Sequence, residues 1–218
     1  MTGEFLVVGL GRFGRDLALN LAADRQSVLA VDRNRERVQG VADHVDAALV
    51  ADTTDESVLA ELHPERMTCA VVAIGGGNIE SSILTCSLLH QFQVPRLVAR
   101  AASALHSRVL RAVGVDEVIS PEADMAARLA RRLAHPNIFD QIELGDQVDL
   151  AEIGLPEAFA DKSLIELDVR RKYGVSVVAI RRQGKILAGF AGSERLQSGD
   201  VLLVLGPRDH ISRLAAMA

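Results

Sequence analysis

Short apolar runs and longer amphipathic stretches alternate over the first 120 of the 218 residues. The runs Phe5–Val8, Leu29–Val31, Asp46–Val50, Cys69–Ile74, Arg96–Arg100 and Asp116–Ile119 predict six short strands. Helical spacing begins near Gly14 and covers Arg33–Ala42, Ile79–Phe92 and Ser103–Val113. A further helix starts at Asp55 and Glu56, behind Thr54 as N-cap. Cys69–Ile74 is apolar almost throughout, as expected of a parallel strand buried on both faces. The pattern predicts an α/β fold with a Rossmann-like doubly wound parallel sheet.

The rhythm changes near Pro121. A helix from there repeats Met125, Leu129 and Leu133 on one narrow apolar face until His135-Pro136-Asn137 stops it. That face suits packing on its own sheet or on another subunit. Strands over Ile138–Leu144, Val148–Ile153, Val175–Arg181, Lys185–Phe190 and Val201–Leu205 follow. Helices over Leu164–Tyr173, started by Asp161 or Ser163, and over Pro207–Ala216 complete a small α+β domain. The expected boundaries are 1–120 for the sheet domain, 121–136 for helix and linker, and 137–218 for the C-terminal domain.

The first strand runs into Gly9-Leu10-Gly11-Arg12-Phe13-Gly14, and Asp32 follows eighteen residues after Gly14, at the end of the second strand. G-x-G-x-x-G between strand and helix, with an acid at that place, is the dinucleotide-binding fingerprint in its confirming context. Gly9 permits the tight turn, Gly11 lets a pyrophosphate approach the backbone, and Gly14 lets the helix pack close. Amides at the helix start then face the anion. Asp32 accepts from ribose hydroxyls and repels a 2′-phosphate, an exclusion that Arg33 beside it weakens.

In such sheets the ligand lies beyond the carboxyl ends of the strands, where the strand order reverses. Gly9 to Arg12, Asp32, Asp52, Thr53, Gly75, Gly76, Asn78 and Arg100 all fall there. Together they offer amides for phosphate, an acid for ribose, polar groups for a base and arginines for charge. Singly, Asp52 reads as a turn residue and Arg100 as a solvated strand end; their joint placement is the argument.

A hydrophobic share of 49% supports a sizeable core, yet no apolar stretch reaches the roughly 18–20 residues of a membrane span. The first strand begins almost at Met1, so no signal peptide is expected and a cytoplasmic location is. Cys69 and Cys86 read as buried small hydrophobes rather than a disulfide, and no spacing suggests zinc. A net charge of -5 and an aromatic share of 3%, without Trp, argue against a nucleic-acid partner. Arg128, Arg131 and Arg132 fit the polar face of one helix. His44, His63, His90, His106, His135 and His210 stand in no catalytic motif, and the second domain presents no nucleophile–base–acid set. A non-enzymatic binding protein is therefore expected. The alternative is an NAD-dependent oxidoreductase, which the glycine fingerprint also suits.

Gly9-Leu10-Gly11-Arg12-Phe13-Gly14, Asp32, Ala73-Ile74-Gly75, Ser120-Pro121-Glu122-Ala123-Asp124-Met125 and Val169-Arg170-Arg171-Lys172-Tyr173-Gly174 stand in that order. The whole chain resembles the cytosolic regulatory subunits of bacterial potassium channels and transporters, the Ktr/Trk type built from RCK domains. Its length resembles the single-copy Ktr type. The resemblance implies dimers closed into an octameric gating ring, docked on the inner face of the cell membrane against a KtrB/TrkH-like potassium-translocating subunit. It implies that ATP and ADP favour different ring shapes, with NAD or NADH as the alternative ligands. Arg12 and Phe13 belong to its glycine signature, and Arg12 would reach terminal phosphates across the dimer. Asp32 would hold the ribose, Asp52 and Thr53 would lie near the adenine, and Arg100 near the phosphates. Glu122 would help bind a cation (Mg, Ca or Na) between two nucleotides. The helix from Pro121 would cross to the dimer partner. Leu164, Ile165, Asp168 and Arg170 match a segment that binds cyclic di-AMP in some relatives.

Overall fold

The computed structural model describes residues 3–145 and 147–218. The chain divides after Pro121 into two compact units. In the first, strands β1 (Glu4–Val8), β2 (Ser27–Asp32), β3 (Ala47–Val50), β4 (Cys69–Val72), β5 (Leu97–Arg100) and β6 (Glu117–Ile119) alternate with helices α1 (Arg12–Ala23), α2 (Arg35–Ala42), α3 (Glu56–Glu61), α4 (Ile79–Gln91) and α5 (Ala104–Ala112). All pairings are parallel, in the order β3-β2-β1-β4-β5-β6. The order reverses between β1 and β4, which opens a crevice at their carboxyl ends.

Successive side chains of a strand point to opposite faces, and β1 shows the consequence. Leu6 and Val8 join the core with Leu59, Cys86, Leu89 and Leu110 on one side of the sheet. Val7 joins Ala18, Val38 and Val41 of α1 and α2 on the other. Burial raises the thiol pKa of Cys69 and pushes that of Cys86 up to about 12, so both behave as core hydrophobes.

Helix α6 (Pro121–Ala134) contains no buried residue, and Met125, Leu129 and Leu133 are exposed. In the second unit, β7 (Ile138–Gly145) and β8 (Val148–Gly154) form a hairpin. Short helices α7 (Leu164–Leu167) and α8 (Val169–Tyr173) precede β9 (Ser176–Arg182), β10 (Lys185–Leu187), β11 (Val201–Pro207) and α9 (Arg208–Ala215). The sheet is antiparallel, ordered β10-β9-β11-β8-β7. Its core brings Ala151, Ile153, Ile180, Leu202 and Val204 against Phe159, Leu167, Ile211 and Leu214. Arg128 and Arg131 of α6 pair with Asp140 and Glu143 of β7, which is the polar-face use expected of them.

Several local expectations are corrected. Asp55, not Thr54, caps α3: its carboxylate accepts from the Ser57 amide at 2.9 Å. Thr54 instead donates its amide and hydroxyl to Asp52, and the charged acceptor takes the cap. The helix expected over Leu164–Tyr173 is broken at Asp168, which sits left-handed at φ 49°. A reciprocal Ser163–Glu166 capping box starts the first short helix, Asp168 ends it, and Asp is among the residues that tolerate this conformation. Strand β10 stops at Leu187, short of Phe190.

Candidate nucleotide cleft

The glycine signature folds as its chemistry requires. Gly9 has φ +91°, and a side chain there would meet the Ile74 backbone at 2.9 Å. A Cβ on Gly14 would stand 1.9 Å from the Gly9 carbonyl oxygen and 2.9 Å from the Ala73 Cβ. Gly11, by contrast, has nothing within 4 Å of its missing side chain. It precedes α1, so its open face lies where a ligand would approach the helix amides.

A cleft of about 340 Å³ opens at the carboxyl ends of the central strands. Gly9, Gly11, Asp32, Arg33, Asp52, Thr53, Gly75, Asn78 and Arg100 line it, so most of the expected constellation is brought together. Its volume falls in the range of small-molecule sites. Arg12, Phe13, Gly14 and Gly76 are not part of the lining. Gly14 is buried under the turn, and exposed Arg12 lines an adjoining depression with Arg15, Asp16 and Glu36, which shares Gly11 and Arg37 with the cleft.

Asp32 is almost fully buried, and its carboxylate staples the glycine turn to β2. It accepts from the Leu10 amide at 2.6 Å and from the Asn34 amide at 2.8 Å. Thr53 is also buried, with its hydroxyl 2.9 Å from that of Thr85 on α4, so it fixes the wall of the cleft. Asp52 is exposed. The Thr54 hydroxyl and amide, and the nearby charge of Arg33, hold its pKa below the ordinary carboxylate value despite some burial. The Arg100 guanidinium lies about 3.0 Å from the place a Gly75 Cβ would take, so Gly75 leaves it room to lie against the loop.

Two family descriptions match the chain, one for each compact unit. A TrkA-N domain matches residues 5–121 and a TrkA-C domain matches residues 150–218. The chain belongs to the TrkA-N/TrkA-C family. It is 36% identical over 213 residues to Ktr system potassium uptake protein C of Bacillus subtilis, covering 98% of this chain and 96% of that protein. Identity to Ktr system potassium uptake protein A is 35% for Bacillus subtilis and 32% for Vibrio alginolyticus, in each case over 96% of this chain and 94% of the relative. Among solved structures, the GsuK RCK domain matches with TM-score 0.67 at 18% identity, over all of this chain and 48% of that one. A GsuK channel bound to NAD matches with TM-score 0.66 at 18% identity, over all of this chain and 39% of that one. This chain thus spans less than half of the GsuK chains, and the likeness establishes the shared RCK fold.

Arg37, Thr54 and Ser81, which no sequence motif marks, also line the cleft. Arg37 carries no linear signal, because it reaches the cleft only through the placement of α2 beside β2. In the TrkA-C part, Ile165 and Arg170 are exposed, Leu164 packs on the core, and Asp168 pairs with Arg171. A nearby groove is lined by Phe159, Lys162, Glu166, Lys172 and Tyr173 among others, and by none of those four. Among the described residues, no group of three or more His, Cys, Asp or Glu is placed to hold a metal ion. No helix of the described residues is long and apolar enough to cross a membrane.

Proposed function

We propose that this chain is a cytosolic, non-enzymatic regulatory subunit of a potassium-uptake system, and that its N-terminal cleft binds ATP and ADP as alternative switch ligands. The observation that carries the reading is the match to Ktr potassium uptake proteins along nearly the whole length of both chains. The cleft supports the nucleotide part. Gly11 leaves the backbone open to phosphates, Asp32 holds the turn, and Arg100 supplies cationic charge against the second glycine loop. A ligand gates a ring only if it prefers one of its shapes, and ATP differs from ADP by one phosphate. Discrimination therefore needs a cation near that phosphate.

Arg12 stands outside the cleft of its own chain, which supports a role on the nucleotide of a dimer partner. The exposed stripe Met125, Leu129 and Leu133 supports α6 as the element that the partner covers. The proposed assembly is a dimer repeated into an octameric ring, peripheral to the membrane through a potassium-translocating subunit. Glu122 begins α6. A Mg, Ca or Na ion there would take its remaining ligands from the phosphates of two nucleotides, whose repulsion it would relieve. For the second unit the proposed ligand is cyclic di-AMP, near Leu164, Ile165, Asp168 and Arg170.

Calorimetry of the purified chain with ATP, ADP, NAD and NADH, each with and without magnesium, tests the reading. ATP and ADP are expected to bind more tightly than NADH. A preference for NADH would favour a redox-linked regulator, the second reading supported by the complete glycine fingerprint with Asp32. Cyclic di-AMP titrated into the same chain tests the second unit. Arg12→Ala is expected to weaken ATP about tenfold, or 1.4 kcal/mol, and ADP by less. Equal losses for both ligands would remove Arg12 from γ-phosphate recognition.

A further inference from the structure

The ribose end of the cleft holds a charge balance that the glycine fingerprint does not predict. Within the chain, the Asp32 carboxylate already has three donors. Its Oδ2 accepts from the Leu10 amide at 2.6 Å and from Arg37 Nη1 at 3.4 Å, and its Oδ1 accepts from the Asn34 amide at 2.8 Å. An ionised carboxylate offers about four lone-pair sites, so about one stays open. An unmodified ribose presents two hydroxyls, at the 2′ and 3′ positions. Asp32 receives both only when Arg37 withdraws from Oδ2. The Arg37 contact is the weakest of the three. It is long, and the Arg37 side chain is 55% exposed, so releasing it costs little.

Arg37 does not stand alone at this end of the cleft. It lines the cleft with Arg33, which is exposed and close enough to Asp52 to lower that carboxylate's pKa. Two exposed guanidiniums thus stand where the buried acid's charge is already answered by two backbone amides. A phosphate at this end would meet charge-assisted donors on guanidinium forks whose geometry suits bidentate pairing.

We propose that Arg37 is the specificity-determining residue at the ribose end of the cleft. It competes with an unmodified ribose for Asp32 and, together with Arg33, pairs with a phosphate on the ribose 2′-oxygen. The cleft consequently accepts 2′-phosphorylated adenine nucleotides that an acid at the end of β2 ordinarily rejects. This rests on the cleft being a nucleotide site.

The test is calorimetry on the full chain and on Arg37→Gln, with 5′-AMP and adenosine 2′,5′-bisphosphate as probes. The wild-type chain is expected to bind the bisphosphate within about threefold of 5′-AMP. Arg37→Gln is expected to weaken the bisphosphate about tenfold, the loss of one charge-assisted pair, and to tighten 5′-AMP about twofold by freeing Oδ2. A wild-type chain that binds 5′-AMP but discriminates against the bisphosphate by more than about a hundredfold, roughly 2.7 kcal/mol, overturns the proposal. So does an Arg37→Gln variant that shifts both ligands equally. If neither probe nor ATP, ADP or NAD binds the wild-type chain, the nucleotide reading of the cleft fails, and this assignment falls with it. Thermal unfolding of the variant separates a binding change from a folding defect.

Discussion

Gly14→Ala is expected to destabilise the N-terminal unit by roughly 3 kcal/mol or more, the upper range of overpacking in a well-packed interior. The added methyl would stand 1.9 Å from the Gly9 carbonyl oxygen, a backbone atom that cannot rotate away. It would also press on Ala73 at 2.9 Å, so α1 must move off the sheet or the glycine turn must deform. Either response disorders the amides at the start of α1, which the proposed nucleotide site offers to phosphates. Urea unfolding followed by far-ultraviolet dichroism reads the effect as a lower midpoint at unchanged slope. Gly11→Ala is the matched contrast. Its new methyl meets nothing within 4 Å, and Gly11 already has φ -63°. That variant should unfold within about 1 kcal/mol of the parent, the small loss coming from a poorer N-cap. Under the proposed function it should nevertheless bind ATP and ADP about tenfold more weakly, because the methyl would occupy the proposed phosphate approach. Similar midpoints for the two variants would show that the close helix–strand approach at Gly14 is not a constraint on stability.

Arg182→Met is expected to cost the second unit roughly 3–5 kcal/mol at neutral pH, because it strands a buried carboxylate. Asp200 is 2% exposed and lies at the turn before β11. Arg182 Nε and Nη2 each reach it at 2.9 Å, and Nη1 reaches Glu194 at the same distance. Arg182 Nη2 also donates to the Arg195 carbonyl. One guanidinium thereby ties the end of β9 to the loop leading into β11. Burial alone would raise the Asp200 pKa. The hydrogen bond from Arg182, the Gln197 amide and the charge of Arg182 together hold it below the ordinary carboxylate value.

That direction fixes the pH dependence. The unfolded chain protonates Asp200 first as pH falls, so the pair's contribution is complete above about pH 4 and declines below it. In Arg182→Met only burial and the amide remain, and protonation relieves the stranded charge. The variant's deficit should therefore narrow from pH 7 toward pH 4. A deficit that stays constant or widens in acid would mean that Asp200 is not the stranded group. Arg182→Met with Asp200→Leu should recover much of the lost stability, because a buried ion pair replaced by apolar groups is often neutral.

The periodicities and the glycine signature made most of the architecture legible. Six strands alternate with five helices in the N-terminal unit because apolar runs and amphipathic stretches do so in the chain. Local acceptor chemistry was harder to read. Thr54 and Asp55 are both good caps, and only the pull of Asp52 on the Thr54 hydroxyl decides between them. Asp168 looks like one more polar position of a helix until its left-handed backbone divides that helix in two.

Sequence alone was enough for the doubly wound class, the nucleotide fingerprint at Gly9, Gly11, Gly14 and Asp32, and the burial of both cysteines. These follow from interactions between residues near in the chain and from which faces must leave water. Tertiary structure decided which candidates share one cleft. It placed Arg12 outside, brought Arg37 in from α2, and turned Asp32 into a staple for the Leu10 amide. It also left Met125, Leu129 and Leu133 exposed. Each of these depends on how separate elements lie against one another, and a linear spacing carries no record of which neighbour claims a lone pair or covers an apolar face.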